Sequence, residues 1–270
     1  MPVPAEEFAA RYGPWALVAG AAVGLGAEYA RQLAARGLRL VLVDRDAAPL
    51  DATAGALRAA GAVEVLPVVA DLARPDVGTT LAAAVGDRTV GLVVYNAAIG
   101  TVAPFLDTPP AQALAMVDVN CRGPLLLLHA FAPAMAARGR GGIVLMSSMA
   151  GSVGSEQLAV YAATKAFNLV LGDALWAELR ARGVDVLAVQ PGSTRTPGWQ
   201  SSQPPELRGP GPHVMEPENV VREALAALGD GPNVVCGEAN RQAAQMLAQL
   251  PRREAVELVS GITRTLLRKT

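Results

Sequence analysis

Short runs of valine, leucine and alanine alternate with longer stretches of helical periodicity along almost the whole chain. WALVAG (15–20) reads as a strand, and LGAEYARQLAARG (25–37) as the helix that follows it. RLVLVD (39–44) is the next strand, followed by a helical stretch closing at Gly61. VEVLPVVAD (63–71), VGLVVYN (90–96), GGIVLMSS (141–148), VDVLAVQ (184–190) and NVVC (233–236) repeat the theme. These strands are apolar on both alternating faces, which is what a parallel sheet covered by helices on both sides requires. The expected fold class is α/β: a doubly wound, Rossmann-type three-layer sandwich around a mostly parallel seven-stranded sheet. Neither a repeat nor a composition break divides the chain, so residues 1–270 are expected to form one domain. Within it, a substrate loop is expected at about 193–216 and a helical extension at about 238–270. The stretch 201–213, rich in proline and glycine, is too irregular for a core element.

Composition narrows the class without changing that picture. The 270 residues are 51% hydrophobic and 17% charged, with a net charge of −1. A near-neutral chain offers no field for nucleic acid or an anionic membrane, and no window is long and apolar enough for a membrane span. The first residues lack the basic start and apolar run of a signal peptide, so a cytoplasmic location is expected. Cys121 and Cys236 read as small hydrophobes, and His129 and His213 lack partners at metal-ligand spacing, so no metal site is expected. The last segment, apolar at helical spacing with basic partners, reads as a helix over the substrate cleft or at a subunit interface.

Two stretches carry chemistry. The first is AGAAVGLG, with Gly20, Gly24 and Gly26 placed between the first strand and the first long helix. Glycines there permit a tight turn, close approach to a pyrophosphate and close helix–strand packing, while the helix N-terminus presents free N–H groups. Asp44 closes the second strand, where a carboxylate accepts hydrogen bonds from a ribose and disfavours a 2′-phosphate, so NAD is the expected cofactor. Arg45 beside it could receive that phosphate, which keeps NADP possible. Asp71 could meet the adenine amino group or cap the segment after it. The second stretch is SMAGSVGSEQLAVYAATK (148–165). A helix starting near Ala159 stacks Tyr161 and Lys165 one turn apart. An ammonium beside a phenol is expected to lower a pKa of about 10 and allow proton exchange near neutral pH.

Taken together, AGAAVGLG, Asp44, YNAA (95–98), Asn120, SS (147–148), YAATK (161–165) and PGSTRT (191–196) resemble the short-chain dehydrogenase/reductase family over roughly residues 15–196. The resemblance implies an NAD(P)-dependent oxidoreductase that interconverts a secondary alcohol and a ketone. Tyr161 would be its general acid/base, Lys165 would tune the tyrosine and bind the nicotinamide ribose, and Ser148 would donate to the substrate oxygen. The family's serine-to-tyrosine spacing selects Ser148 over Ser147. Asn120 would hold a water in a proton relay. Cofactor contacts would come from Gly20, Ala22, Gly24, Leu25, Gly26, Asp44, Arg45, Asp71, Leu72, Asn96, Tyr161, Lys165, Pro191, Gly192, Thr194 and Thr196. The chain departs from the family pattern at Ala19, where threonine usually braces the glycine loop, and at Tyr95 and Ala98.

The substrate is less sharply written. A wall containing Met149, Leu158, Ile99, Trp199 and Met215 suits an apolar or aromatic alcohol or ketone, with Glu156 and Gln157 as candidate readers of a polar group. A dinucleotide-sensing regulator without turnover, or a non-redox lyase relative, are the rival readings. The intact Ser148, Tyr161 and Lys165 speak against the first, and the glycine loop with Asp44 against the second. The resemblance further implies a homodimer or homotetramer assembled through the helices holding Asn120 and Tyr161.

Overall fold

The computed structural model describes residues 4–61, 64–202 and 214–267. His213 and most of the irregular stretch at 201–213 lie outside the described residues. Seven strands form one sheet: β1 (Trp15–Ala19), β2 (Arg39–Asp44), β3 (Val65–Val69), β4 (Val90–Tyr95), β5 (Gly141–Met146), β6 (Val184–Gln190) and β7 (Asn233–Val235). Their order is β3-β2-β1-β4-β5-β6-β7, and every neighbouring pair is parallel. The expected doubly wound sheet is therefore present and wholly parallel.

Strand alternation explains why apolar runs without a polar face form it. Ala16 and Val18 of β1 point into one core layer, whereas Trp15, Leu17 and Ala19 point into the other. The same split places Leu40, Leu42, Val94 and Val144 on the first side and Val41, Val43, Val93 and Ile143 on the second. Helices α2 (Gly24–Ala34), α3 (Ala47–Ala59) and α9 (Pro217–Ala227) contribute Tyr29, Leu33, Leu50, Val220 and Leu225 to the first layer. Helices α4 (Val77–Val85), α6 (Gly123–Arg138) and α7 (Ala159–Leu179) close the second. The N-terminal α1 (Ala5–Tyr12) is pinned across the sheet by Tyr12, which donates to Asp185 at 2.7 Å.

Strands β1, β4 and β7 end one residue earlier than expected, and β3 and β5 two residues earlier. β3 stops at Val69 and β5 at Met146, because Asp71, Ser147 and Ser148 leave the ladder to make contacts at the sheet's C-terminal edge. β3 is an edge strand, which accommodates Pro67. After β4 the chain passes a 3₁₀ turn (Phe105–Asp107) and α5 (Pro110–Val117), then a π-helical turn (Asp118–Arg122) that joins α5 to α6. Helix α8 (Pro197–Ser202) follows β6; α10 (Glu238–Gln249) and α11 (Arg252–Leu267) close the chain. Among the described residues no helix is long and apolar enough to cross a membrane, and no cluster of His, Cys, Asp and Glu could hold a metal ion.

Candidate active site

The strand order reverses between β1 and β4, and the loops leaving those two strands flank the crevice where open α/β sheets bind ligands. Two shallow depressions of about 510 Å³ each lie at the opposite, N-terminal end of the strands, around Pro14 and Arg39. The chemistry-bearing residues gather at the C-terminal end instead.

In the glycine loop, Gly20 and Gly24 have φ of +80° and +61°, and a Cβ on Gly26 would lie 1.8 Å from the Gly20 carbonyl oxygen. Only glycine at position 26 lets α2 approach the strand end. No side chain caps α2, so its first-turn N–H groups are free to serve an anion. That uncapped end, on a loop stripped of side chains, fits a dinucleotide pyrophosphate. A Cβ on Gly24 would come within 3.2 Å of Thr196, so PGSTRT closes over the same loop. Thr196 Oγ1 accepts from Trp199 N–H at 3.2 Å and starts α8, while Thr194 Oγ1 donates to the Gly192 carbonyl at 3.1 Å. Pro191 accepts from Met149 N–H at 3.1 Å, and Gly192 lies against the Asn240 side chain.

Several residues expected to touch the cofactor also brace its loop. The Ala22 N–H donates to Asp44 Oδ2 at 3.0 Å and its carbonyl accepts from Thr53. The Leu25 and Leu72 side chains pack into the two core layers and leave only their backbones at the edge. Asp71 accepts from Ala73 N–H at 2.9 Å, the capping alternative, with its second oxygen unengaged among the described residues. Asn96 donates through Nδ2 to the Gly20 carbonyl at 2.8 Å, and its N–H and that of Ala97 reach the Ala19 carbonyl. These bonds supply the bracing that a threonine at position 19 would give. Asp44 also accepts from Asp46 N–H at 3.3 Å, and Arg45 is exposed beside it.

The tyrosine half of the site is built on α7, which starts at Ala159 as its spacing requires. The Ser148 hydroxyl accepts from Ala150 N–H at 3.2 Å and lies beside the Tyr161 phenol, where it favours the phenolate. Ser147 is buried and donates to the Lys165 carbonyl at 2.7 Å, so it ties β5 to α7. Lys165 Nζ donates to the Met146 carbonyl at 2.8 Å and sits 5.7 Å from the Tyr161 ring centroid. Full burial lowers the Lys165 pKa to about 8. The Tyr161 phenol moves the other way: burial raises its pKa, and the neighbouring Ser148 hydroxyl only partly offsets that. The expectation that Lys165 holds the phenol below its ordinary value is therefore corrected. The ammonium is directed at a carbonyl, and the low-dielectric surroundings disfavour both charged forms.

The Asn120 side chain ties the π-helical turn to the loop after β4. Its carboxamide accepts from Ile99 N–H at 2.9 Å and donates to the Ile99 carbonyl at 2.8 Å and to Thr164 Oγ1 at 2.9 Å. The side chain is satisfied within the protein and does not reach Lys165; it anchors the loop after β4 to the π-helical turn. That loop then presses Gly100 against Tyr161, where a Cβ would lie 2.9 Å from the ring. Tyr95 fills the space beside Gly123 and donates to the Val119 carbonyl at 2.6 Å. Thr164, Asn168 and Gly100 escaped sequence reasoning, because each acts through a partner distant in sequence.

Of the expected substrate wall, Met149 and Leu158 are half-buried beside Ser148 and at the start of α7. Trp199 is half-buried on α8, next to Thr196. Met215 is half-buried, packed against the first core layer and beside the Asn240 side chain. Glu156 is not free to read substrate, because Arg264 of α11 pairs with its carboxylate. Gln157 adopts φ +64° and its carbonyl accepts from Ala103 N–H at 3.0 Å.

Comparison with known proteins supports the same assignment. The family model described as "short chain dehydrogenase" matches residues 14–207. A 7beta-hydroxysteroid dehydrogenase of Collinsella aerofaciens is 33% identical over 233 residues, covering 86% of this chain and 89% of that protein. A very-long-chain 3-oxoacyl-CoA reductase of Laccaria bicolor is 32% identical over 83% of this chain and 66% of its own length. A solved structure concerned with 7beta-hydroxysteroid dehydrogenase stereoselectivity superposes with a TM-score of 0.86 at 31% identity, covering 94% of this chain and 99% of that one. A short-chain dehydrogenase from Sphingobium yanoikuyae, solved with NADPH, superposes at 0.75 with 32% identity over 89% and 97%. The chain belongs to the short-chain dehydrogenase family, and its chemistry is NAD(P)-dependent interconversion of a secondary alcohol and a ketone.

Proposed function

We propose that Tyr161 is the general acid/base of this reaction, that Ser148 orients the substrate oxygen, and that Lys165 supports the tyrosine. The observation that carries this reading is the convergence of three groups: Ser148 just past the end of β5 beside the Tyr161 phenol, and Lys165 buried one turn along α7 with its Nζ on the Met146 carbonyl. A nicotinamide dinucleotide, when bound, supplies or accepts the hydride. In ketone reduction, Tyr161 gives its phenolic proton to the carbonyl oxygen, and the Ser148 hydroxyl stabilises the developing alkoxide. In alcohol oxidation, the phenolate takes the hydroxyl proton. The raised phenol pKa keeps Tyr161 protonated near neutral pH, the form needed for reduction. Asn120 serves by holding Ile99 and the π-helical turn, and its carbonyl, which accepts from Asn168 at 2.8 Å, retains a lone pair for a relay water.

The pyrophosphate would lie on the N–H groups of Gly24, Leu25 and Gly26, with Pro191, Gly192, Thr194 and Thr196 at the nicotinamide end and Asn96 fixing the loop beneath. Asp44 would meet the adenosine ribose, which favours NAD; Arg45 is the residue that would admit NADP. The substrate is an apolar, bulky or aromatic secondary alcohol or ketone, lying against Met149, Leu158, Ile99 and Trp199. A hydroxysteroid is the first to test, given the relatives. The whole chain acts as one domain, with the loop at about 193–216 and the extension at about 238–270 shaping the cleft. It assembles as a homodimer or homotetramer in the cytoplasm.

Reduced-cofactor absorbance, followed with NAD or NADP and a panel of hydroxysteroids and aromatic secondary alcohols, tests this. Turnover with a lower KM for NAD, lost in Tyr161→Phe, is expected. Equal turnover in Tyr161→Phe sinks the catalytic assignment, and a lower KM for NADP overturns the reading of Asp44.

A further inference from the structure

The segment between Ser148 and Tyr161 does not hold itself. Gln157 has φ +64°, the one positive value at a non-glycine residue among those described, and a side chain is rarely accommodated there. Such a conformation persists only when neighbours over-determine it. On one side the Gln157 carbonyl accepts from Ala103 N–H at 3.0 Å. On the other side stands α11, more than a hundred residues later in sequence. The buried Ser260 accepts from Glu156 N–H at 3.1 Å, Arg264 pairs with the Glu156 carboxylate, and Arg252 donates to the Ser152 carbonyl at 2.8 Å. Thr263 and Ser155 hydroxyls lie 3.5 Å apart.

The inward face of α11 combines the apolar Ala255, Val256 and Val259 with the hydroxyls of Ser260 and Thr263, and those hydroxyls and the Arg252 and Arg264 guanidiniums make its directional contacts with the loop. What the loop controls is the first turn of α7. Leu158 N–H donates to the Ser155 carbonyl at 3.4 Å, and the Leu158 carbonyl accepts from Ala162 N–H at 2.7 Å. A shift at Ser155–Gln157 therefore moves the turn that carries Tyr161 relative to Ser148.

We propose that Ser260 and Arg264 are positioning residues for the reaction, acting through Glu156 to hold Ser155–Leu158 and so set Tyr161 against Ser148. This rests on Tyr161 being the general acid/base. Small displacements of a reacting group cost large factors in rate, so Ser260→Ala and Arg264→Ala are expected to lower kcat by about tenfold. KM for the dinucleotide stays within about twofold of the parent, because the glycine loop is untouched. Arg264→Lys keeps the charge and recovers most of the loss. Glu156→Arg alone is impaired, and Glu156→Arg with Arg264→Glu is restored.

The test is steady-state kinetics of these variants and of Tyr161→Phe in one assay, with hydrogen exchange of the Glu156–Ala162 amides in the full chain. Faster exchange confined to that segment in Arg264→Ala, with the kcat loss and the charge-reversal rescue, supports the proposal. Parent-like kcat in Ser260→Ala and Arg264→Ala, or no rescue by charge reversal, overturns it while an inactive Tyr161→Phe leaves the site assignment standing. An active Tyr161→Phe removes the catalytic assignment instead. Should no substrate turn over, unchanged exchange in Arg264→Ala overturns the proposal by itself.

Discussion

Tyr161 and Lys165 both sit in surroundings that disfavour charge, and their pKa shifts run in opposite directions. With the phenol raised, the phenolate needed for alcohol oxidation forms only on the alkaline side, so kcat/KM for oxidation should climb with pH while reduction is supported near neutrality. A pH–rate profile in each direction checks this; an oxidation rate flat across the alkaline range contradicts it. Tyr161→Phe should cost at least about a hundredfold in either direction, the usual worth of a positioned proton donor. For Lys165 the linkage is with stability. Its folded pKa of about 8 lies below the ordinary 10.5, so between those values the unfolded chain binds more protons than the folded one. Stability should therefore rise with pH across that window, by roughly 3 kcal/mol if no other group intervenes. Below the window the cost of burying the ammonium is constant. Lys165→Met should remove that rise, and urea melts at several pH values would show it.

Among the elements, close approach to a glycine decides the geometry twice. Gly26→Ala places a Cβ on the Gly20 carbonyl, which backbone cannot evade, so α2 must move off the loop. Calorimetric titration with NADH should show binding lost, with circular dichroism reporting whether the fold survives. Gly100→Ala meets only the edge of the Tyr161 ring. That ring can turn, so the expected outcome is a kcat reduced by about tenfold with little change in melting temperature. A parent-like kcat would show that the loop after β4 yields before the ring does. The legibility of these elements was uneven. β2 and β6 match the residues expected from their apolar runs, and α7 starts at Ala159, because local pattern and burial agree there. The π-helical turn around Asn120 was invisible, since its shape follows from Tyr95 and Ile99 rather than from the residues in it.

At the scale of the molecule, large apolar side chains remain exposed on the 3₁₀ turn, α5 and α7: Phe105, Leu106, Leu114, Val117 and Val170. Leu106 is 92% exposed, more than a lone chain gains from tolerating. The proposed assembly would bury them. Leu106→Glu with Leu114→Glu is expected to shift sedimentation toward the monomer, and an unchanged oligomer would place the interface elsewhere.

The order of strands and helices, the glycine loop, Asp44 and the Tyr161–Lys165 spacing were all written in the sequence, because each depends on neighbours within a few residues or on a periodicity. Ser148 was separated from Ser147 by the family's spacing; in the fold Ser147 donates to the Lys165 carbonyl while Ser148 accepts from Ala150 N–H. Tertiary structure alone decided the rest. It gave Ala22 and Asn96 bracing bonds to the glycine loop, closed the Asn120 carboxamide on Ile99, and paired Glu156 with Arg264. It also set the direction of the Tyr161 shift, since desolvation depends on what surrounds a group in space. The hold of α11 on Glu156 joins residues more than a hundred positions apart, and no local pattern encodes which surface a distant helix will meet.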